Sequence, residues 1–426
     1  MSKFQVVLMA VFIFIIIVAV ATFALFKGSD TAKRNQTVLW GTLNSVQMTT
    51  LFNKITQADD KFSMVYVEKR PESFESDLIE ALAAGAGPDA VLLPQDLIYR
   101  NANKLIPIPY TSLSERSFKD TYLSEGELFL STNGITALPL TVDPLVLYWN
   151  RTLLTNAGIA APPATWTELL AMTPKLVVKN NTIITQAAIS FGGYENTTNA
   201  KEILSALLLQ AGTPITNYGD TGILQSVLGD RFNYALTPAE EALRFYTGFA
   251  DPQKPNYSWN PSLPTARSYF VSGDLAFYVG FASELKDIRD RNPNLDFDVS
   301  ILPQTDKTLA RQTFGRVLGL AFTKNLHDMA STFANALDLT STDSLKLLSE
   351  LTSLPPGRRD LLSVRPADPY LSVFYDSALM SRGWIDPDRE GSDTVFKNMV
   401  KSVTSGRARI SEAVNQATAE LGSLIK

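Results

Sequence analysis

The stretch that most constrains this chain is residues 137–150, ALPLTVDPLVLYWN. Pro139 and Pro144 exclude a helix through it, because each removes a backbone donor and clashes with the preceding turn. Leu145-Val146-Leu147-Tyr148-Trp149 lacks polar alternation and reads as a strand buried on both faces. Asp143-Pro144 breaks the run at its middle. Two readings fit: a core strand with an acid at a turn, or a strand that leaves one globular half and enters another with Asp143 at the crossing.

The flanking pattern is α/β. A chain of 426 residues with 45% hydrophobic content can build two cores. Thr37–Gly41 reads as a strand, followed by a helix with Met48, Leu51, Phe52 and Ile55 on one face. A strand over 62–67, a helix over 75–84 with Leu78, Ile79 and Leu82 inward, and a strand over 90–93 come next. Gly85-Ala86-Gly87 closes that helix. A dinucleotide fingerprint would open one instead, so no nucleotide site follows. Pro94-Gln95-Asp96 lies at the carboxyl end of a strand, where open α/β sheets bind ligands. Thr165 and Glu168 form a capping box around Trp166. Residues 187–199 form a glycine-containing loop with Tyr194, an apolar helix spans 200–210, and Thr237-Pro238 starts another helix. Ile410, Val414, Ala417, Leu421 and Leu424 make a terminal helical stripe.

Composition removes several classes. The absence of cysteine excludes disulfides, thiolate metal sites and cysteine nucleophiles. A single histidine, His327, leaves no basis for a His-based triad or a His-rich metal site. The net charge is −5 with scattered bases, so no nucleic-acid surface is expected. No cofactor is implied.

Phe4–Phe26 is apolar apart from Gln5 and Thr22 and is long enough to cross a bilayer. It exceeds the usual secretory apolar region, so residues 1–27 are expected to be an uncleaved signal anchor. Ala19-Val20-Ala21 offers a cleavage site as the alternative. Residues 28–36 form a tether. Lys3 precedes the span while Lys27, Lys33 and Arg34 follow it, a balance that mildly favours the opposite orientation.

The run at 137–150 is followed by Asn150-Arg151-Thr152-Leu153-Leu154-Thr155-Asn156-Ala157-Gly158-Ile159, Pro162-Pro163 and Thr165-Trp166-Thr167-Glu168-Leu169-Leu170. This resembles the family 1 extracellular solute-binding proteins, the maltose-binding-like capture subunits of ABC importers. Ser268–Glu284, SYFVSGDLAFYVGFASE, resembles the segment that turns from strand into helix at the cleft of that family. Residues 292–304 resemble its return crossing, and Phe314-Gly315-Arg316 with the strand 317–323 a third passage. Residues 351–361 and 384–388 also resemble family motifs.

The resemblance implies a two-lobed periplasmic-binding-protein-like α/β fold (type II) with a hinge and an inter-lobe cleft, preceded by the transmembrane helix. Residues 37–142 and 297–321 are expected in lobe 1, and 143–296 with 322–426 in lobe 2. It further implies a mono- or oligosaccharide ligand, ABC permease subunits as partners, a monomeric state, and a single-pass location with the globular part outside the cell.

A sugar needs flat apolar faces for its C–H patches and paired hydrogen bonds for its hydroxyls. Residues of those types at the expected crossings and strand ends are Trp40, Asn44, Gln95, Asp96, Asp143, Tyr194, Asn199, Tyr278, Phe281, Ser283, Arg316 and Trp384. Asp386 and Asp388 read as turn and cap residues. Asp96 and Asp143 could also be paired acids of a glycoside hydrolase; a surface adhesin is a third reading.

Overall fold

A computed structural model describes residues 34–181, 183–305 and 310–425. In its first half, strands β1 (Thr37–Gly41), β2 (Met64–Glu68) and β3 (Ala90–Pro94) are parallel neighbours, β1 lying between the other two. Helices α1 (Ser45–Ala58) and α2 (Phe74–Ala83) connect them. Leu78 is buried as expected, but Ile79 faces solvent.

β4 (Leu138–Asn150) is a single strand through the whole opening stretch, and it changes partners at its middle. Leu138–Pro144 pairs with β8 (Thr313–Thr323), which in turn joins β3. Leu145–Trp149 pairs with β6 (Leu275–Phe281), and Val146–Asn150 pairs with β7 (Phe297–Ile301). β6 continues to β5 (Ile183–Ile189). Pro144 therefore stands where one ladder ends and the next begins, a point where a missing N–H breaks no continuous ladder. Pro139 lies beside the register shift opposite Leu318 and Gly319.

Each half of β4 has its own core. Leu138 and Leu140 join the cluster of β1, β3, α1 and β8. Beyond Pro144 the side chains alternate. Leu145 and Leu147 enter a second cluster with Trp166, Phe191 and Phe396, while Val146 and Tyr148 enter a third with Phe270, Tyr278 and Phe297. Both faces are covered, which is why the strand carries no polar alternation. At the start of α3 (Trp166–Leu176), Thr165 caps the helix by accepting from the Glu168 N–H at 3.2 Å, while Glu168 accepts from the Ala164 N–H at 2.7 Å, one residue before the bond the expected capping box would make.

The chain is divided between the halves differently from the expectation. β7, expected in lobe 1, lies in the second half, because Phe297 and Val299 bury against Tyr148 and Phe270. Gln304 stays there too, donating to the Ala164 carbonyl while its own carbonyl accepts from Trp166. The return to the first half is made by β8. Helices α5 (Met329–Leu339) and α6 (Thr342–Thr352), expected in lobe 2, bury Ala336, Leu339, Leu345 and Leu348 in the first core. Pro355, Pro356 and Gly357 then run along the first half of β4, and α7 (Pro369–Met380) packs beneath its second half. Ser381-Arg382 pairs with Thr313-Phe314, after which α8 (Arg389–Thr404) and α9 (Ile410–Leu424) close the second core.

The expected span Phe4–Phe26 lies outside the described residues. Among the described residues no helix is long and apolar enough to cross a membrane. Of the expected tether, Arg34 is held by Asp59 at 3.1 Å and by Asp338, and Asn35 by Asp328 at 2.8 Å.

Candidate functional site

The partner switch in β4 places Asp143 opposite Arg316 of β8. The first turn after β6 brings Ser283 over the same point, and its N–H donates to Asp143 Oδ1 at 2.9 Å. Asp143 keeps some solvent access. Burial pushes its carboxyl up to about 6; Ser283 and Arg316 pull the other way, and Glu284 adds to the rise.

Arg316 lies with its guanidinium 3.9 Å from the Phe281 ring centre and pairs with Glu202. Burial works against the Glu202 carboxylate, but Arg316 outweighs it and holds the group below the usual range. Glu202 is in the first turn of α4 (Ala200–Ala211), which starts at Asn199. Asn199 adopts a left-handed conformation at φ 61° and sends its amide to Glu284 at 2.7 Å. Glu284 also accepts from the Phe281 N–H at 3.0 Å, from Arg267 at 2.7 Å and from the Tyr278 hydroxyl. Four donors on two carboxylate oxygens leave it little further capacity.

On the facing bank, Gln95 is buried and links β3 to β8: it donates to the Gly315 carbonyl at 2.9 Å and accepts from the Val317 N–H at 2.7 Å. Asp96 pairs with Arg389 of the second half at 3.0 Å, and Arg100 with Asp388 at 3.4 Å. The other Asp96 oxygen is buried without a partner. Trp384 stacks on Phe396 and donates to Ser205 at 3.0 Å. Beside it a cavity of about 70 Å³ is lined from both halves, by Gln95 and Tyr99 on one side and Tyr218 and Trp384 on the other.

The structure thus brings Asn199, Ser283, Asp143 and Arg316 together and sets Gln95, Asp96 and Trp384 where the halves meet; Tyr278 and Phe281 stand behind the first group with their side chains fully buried in the second-half cores. Three others lie apart from these contacts. Tyr194 packs in the second core and donates to Asp393 at 2.7 Å. Asn44 caps α1, accepting from Val46 and Gln47. Trp40 carries Lys69 over its ring at 3.7 Å.

Sequence reasoning passed over Glu125, Lys201, Glu202 and Arg389. Asp388 caps α8 and Asp386 accepts from the Asp388 N–H at 3.1 Å in the turn, both as expected; the other Asp386 oxygen is buried against Lys201, whose ammonium also donates to Ser392 and the Arg389 carbonyl. The signal available for Lys201 and Glu202 was their place in the first turn of a helix that follows a candidate loop.

A family profile described as bacterial extracellular solute-binding protein matches residues 50–369, about three quarters of the chain. The chain belongs to this family. Its members are binding proteins, not enzymes. Among curated relatives, a protein of Brucella abortus (strain 2308), named only as a candidate binding protein, is 27% identical over 209 residues. That match spans 46% of this solute-binding protein and 44% of the relative, less than half the length of either. Solved structures cover far more. A cyclo/maltodextrin-binding protein complexed with maltotetraose superposes with a TM-score of 0.73 at 19% identity, over 93% of this chain and 99% of that one. The maltose/maltodextrin-binding domain MalE of Bdellovibrio bacteriovorus, bound to maltotriose, gives 0.66 at 16% identity, over 91% and 99%. A solute-binding protein of Thermotoga lettingae bound to α-D-tagatose gives 0.66 at 19%, over 93% and 100%. The two-lobed fold is thereby shared.

Proposed function

We propose that this solute-binding protein captures a carbohydrate between its two lobes and delivers it to the permease of an ABC importer. What supports the reading is β4: one strand pairs with β8 in its first half and with β6 in its second, and Asp143 stands where the partners change. Beside Asp143 stand an exposed serine (Ser283) and the Arg316 guanidinium, polar groups of the kind that recognise sugar hydroxyls; Phe281 is buried beneath Arg316 and offers no free face. The structural relatives named above hold maltotetraose, maltotriose and tagatose.

The cavity beside Trp384, about 70 Å³ and not lined by Asp143, is well below the roughly 300–1,000 Å³ of a ligand cleft. The lobes must part to admit a sugar and close over it, with β4, β8 and residues 381–383 as the passages that bend. The hydrolase reading loses its support, since Asp96 is paired with Arg389 and the family consists of binding proteins. Phe4–Phe26 would hold the globular part outside the membrane. Its length suits a bilayer span, and protease treatment of intact cells tests it: cleavage of the globular part is expected, and full protection contradicts the topology.

The ligand is tested by melting the protein in the presence of maltotetraose, maltotriose, mannobiose, tagatose, amino acids and peptides. A ligand that binds only the folded state at a hundred times its Kd adds about 2.7 kcal/mol. A sugar is expected to raise the melting temperature. A rise with amino acids or peptides alone overturns the reading.

A further inference from the structure

Glu125 is a fully buried carboxylic acid that neither the fold nor the proposed capture step uses. It lies in the 3-10 turn Ser124–Phe129 of the first lobe and is 1% exposed. Neither carboxyl oxygen meets a partner in good hydrogen-bond geometry, although the Gln95 amide and the Ser381 hydroxyl lie close enough to favour its ionised form. A buried polar group without a partner is costly and rare, so its surroundings call for an account.

Those surroundings are the inter-lobe passages. A Cβ at Gly315 of β8 would overlap the Glu125 carboxylate, and one at Gly383 would stand 3.0 Å from its Oε1. Both passages are therefore glycine where the acid touches them. Gly315 pairs with Pro144 of β4, one position from the Asp143–Arg316 pair. The acid thus meets two passages directly and lies one pair away from the third. The polar groups around it are the Gln95 amide from β3 and Ser381 with Arg382 from the strand beside β8. Asp143 faces it from β4 as a like charge. Arg316 is turned to Glu202, and Arg359 is bound to the neighbouring Ser124 and the Tyr122 carbonyl.

We propose that Glu125 is a proton-operated lock on the hinge: protonated, it lets the passages pack shut, and ionised, it holds the lobes apart. The inference rests on the hinge motion proposed above. Burial drives the Glu125 carboxyl up to about 8; Gln95 and Arg382 oppose the rise and Asp143 adds to it. Opening the lobes admits water to the carboxyl and returns it toward the ordinary value near 4.3. The closed state therefore binds one proton more than the open state between those limits. Closure is favoured at low pH and is lost as pH rises toward about 8, above which the effect levels off.

The test uses the full chain in detergent without ligand. The chain has no cysteine, so Val46→Cys on the first lobe and Ile223→Cys on the second, both exposed, accept spin labels cleanly. The distribution of label distances is read from pH 5 to pH 9. The ratio of long to short distances is expected to rise by up to tenfold per pH unit and to level off near pH 8. Glu125→Gln, which keeps the shape and removes the charge, is expected to hold the short distance throughout. Arg382→Gln should move the plateau to higher pH, and Asp143→Asn to lower pH. A rise that is identical in the parent and in Glu125→Gln overturns the lock, as does a parent whose two distances keep a constant ratio. A single distance in every variant at every pH overturns the hinge reading itself.

Discussion

The two banks of the cleft are built on opposite terms. On the second-lobe side the charges near the crossing are matched: Glu284 accepts from four donors, Lys201 donates to three acceptors, and Glu202 holds Arg316. On the first-lobe side one Asp96 oxygen and both Glu125 oxygens are buried without partners in good hydrogen-bond geometry. A matched network is rigid and keeps its geometry whether or not a ligand is present. Unmatched acceptors ask for a donor from elsewhere, which a sugar hydroxyl or a proton can supply. Under the proposed capture reading, the second lobe would be the prepared platform and the first lobe the part that responds.

The sharpest way to break that comparison is to open the matched side. Glu284→Ala leaves Arg267, Tyr278 and Asn199 without their common acceptor. Removing one member of a buried charged network costs about 3–5 kcal/mol, and guanidinium denaturation should show a loss of that size. A loss below about 1 kcal/mol would mean that the platform is not held by its charges.

A smaller effect comes from Asp143, which links the banks. Its folded-state carboxyl, at about 6, stands above the ordinary value near 3.9. The folded state therefore holds the proton more tightly, and the group's contribution to stability is complete below about pH 4 and lost as pH rises through about 6. Asp143→Asn should be more stable than the parent at pH 7, by on the order of 1–2 kcal/mol, and equal to it near pH 4. Melting curves at the two pH values check this, and a parent more stable than the variant at pH 7 would contradict it.

The smallest effect belongs to the contact between the banks. The Asp96–Arg389 pair is partly exposed, and such pairs contribute at most about 1 kcal/mol and weaken with salt. Asp96→Asn should widen the label-distance distribution at 20 mM salt and change nothing at 500 mM. Equal widening at both salt concentrations would assign Asp96 a role beyond its charge.

The buried strand was legible because proline and the missing polar alternation are local signals; that it crosses between halves was implied by the resemblance of 137–170 to the family. The cap around Trp166 was legible too. What the order of segments could not supply was which half each later strand joins. β7 and β8 are both extended segments with apolar residues facing a core, and only the cores they bury into, Phe297 against Tyr148 and Val317 with the first cluster, tell them apart. Candidate site residues near Asp143 were found because β6 and its following turn are contiguous in sequence. Glu125 was not, since it lies in an unremarkable polar run, and its isolation arises from Gly315 and Gly383, distant in the chain. Trp40, Asn44 and Tyr194 were chosen for residue type and place along the chain, and their side chains serve a cation contact, a helix cap and a core.

The strand crossing at Asp143 is proposed as the floor of the ligand site. Calorimetric titration of Asp143→Ala with the sugar that raises the parent's melting temperature tests it most directly. A charge-assisted hydrogen bond is worth about 1.5–3 kcal/mol, so affinity should fall by roughly tenfold to a hundredfold with the melting curve preserved. Unchanged affinity would make Asp143 a turn acid in a buried strand and move the site elsewhere.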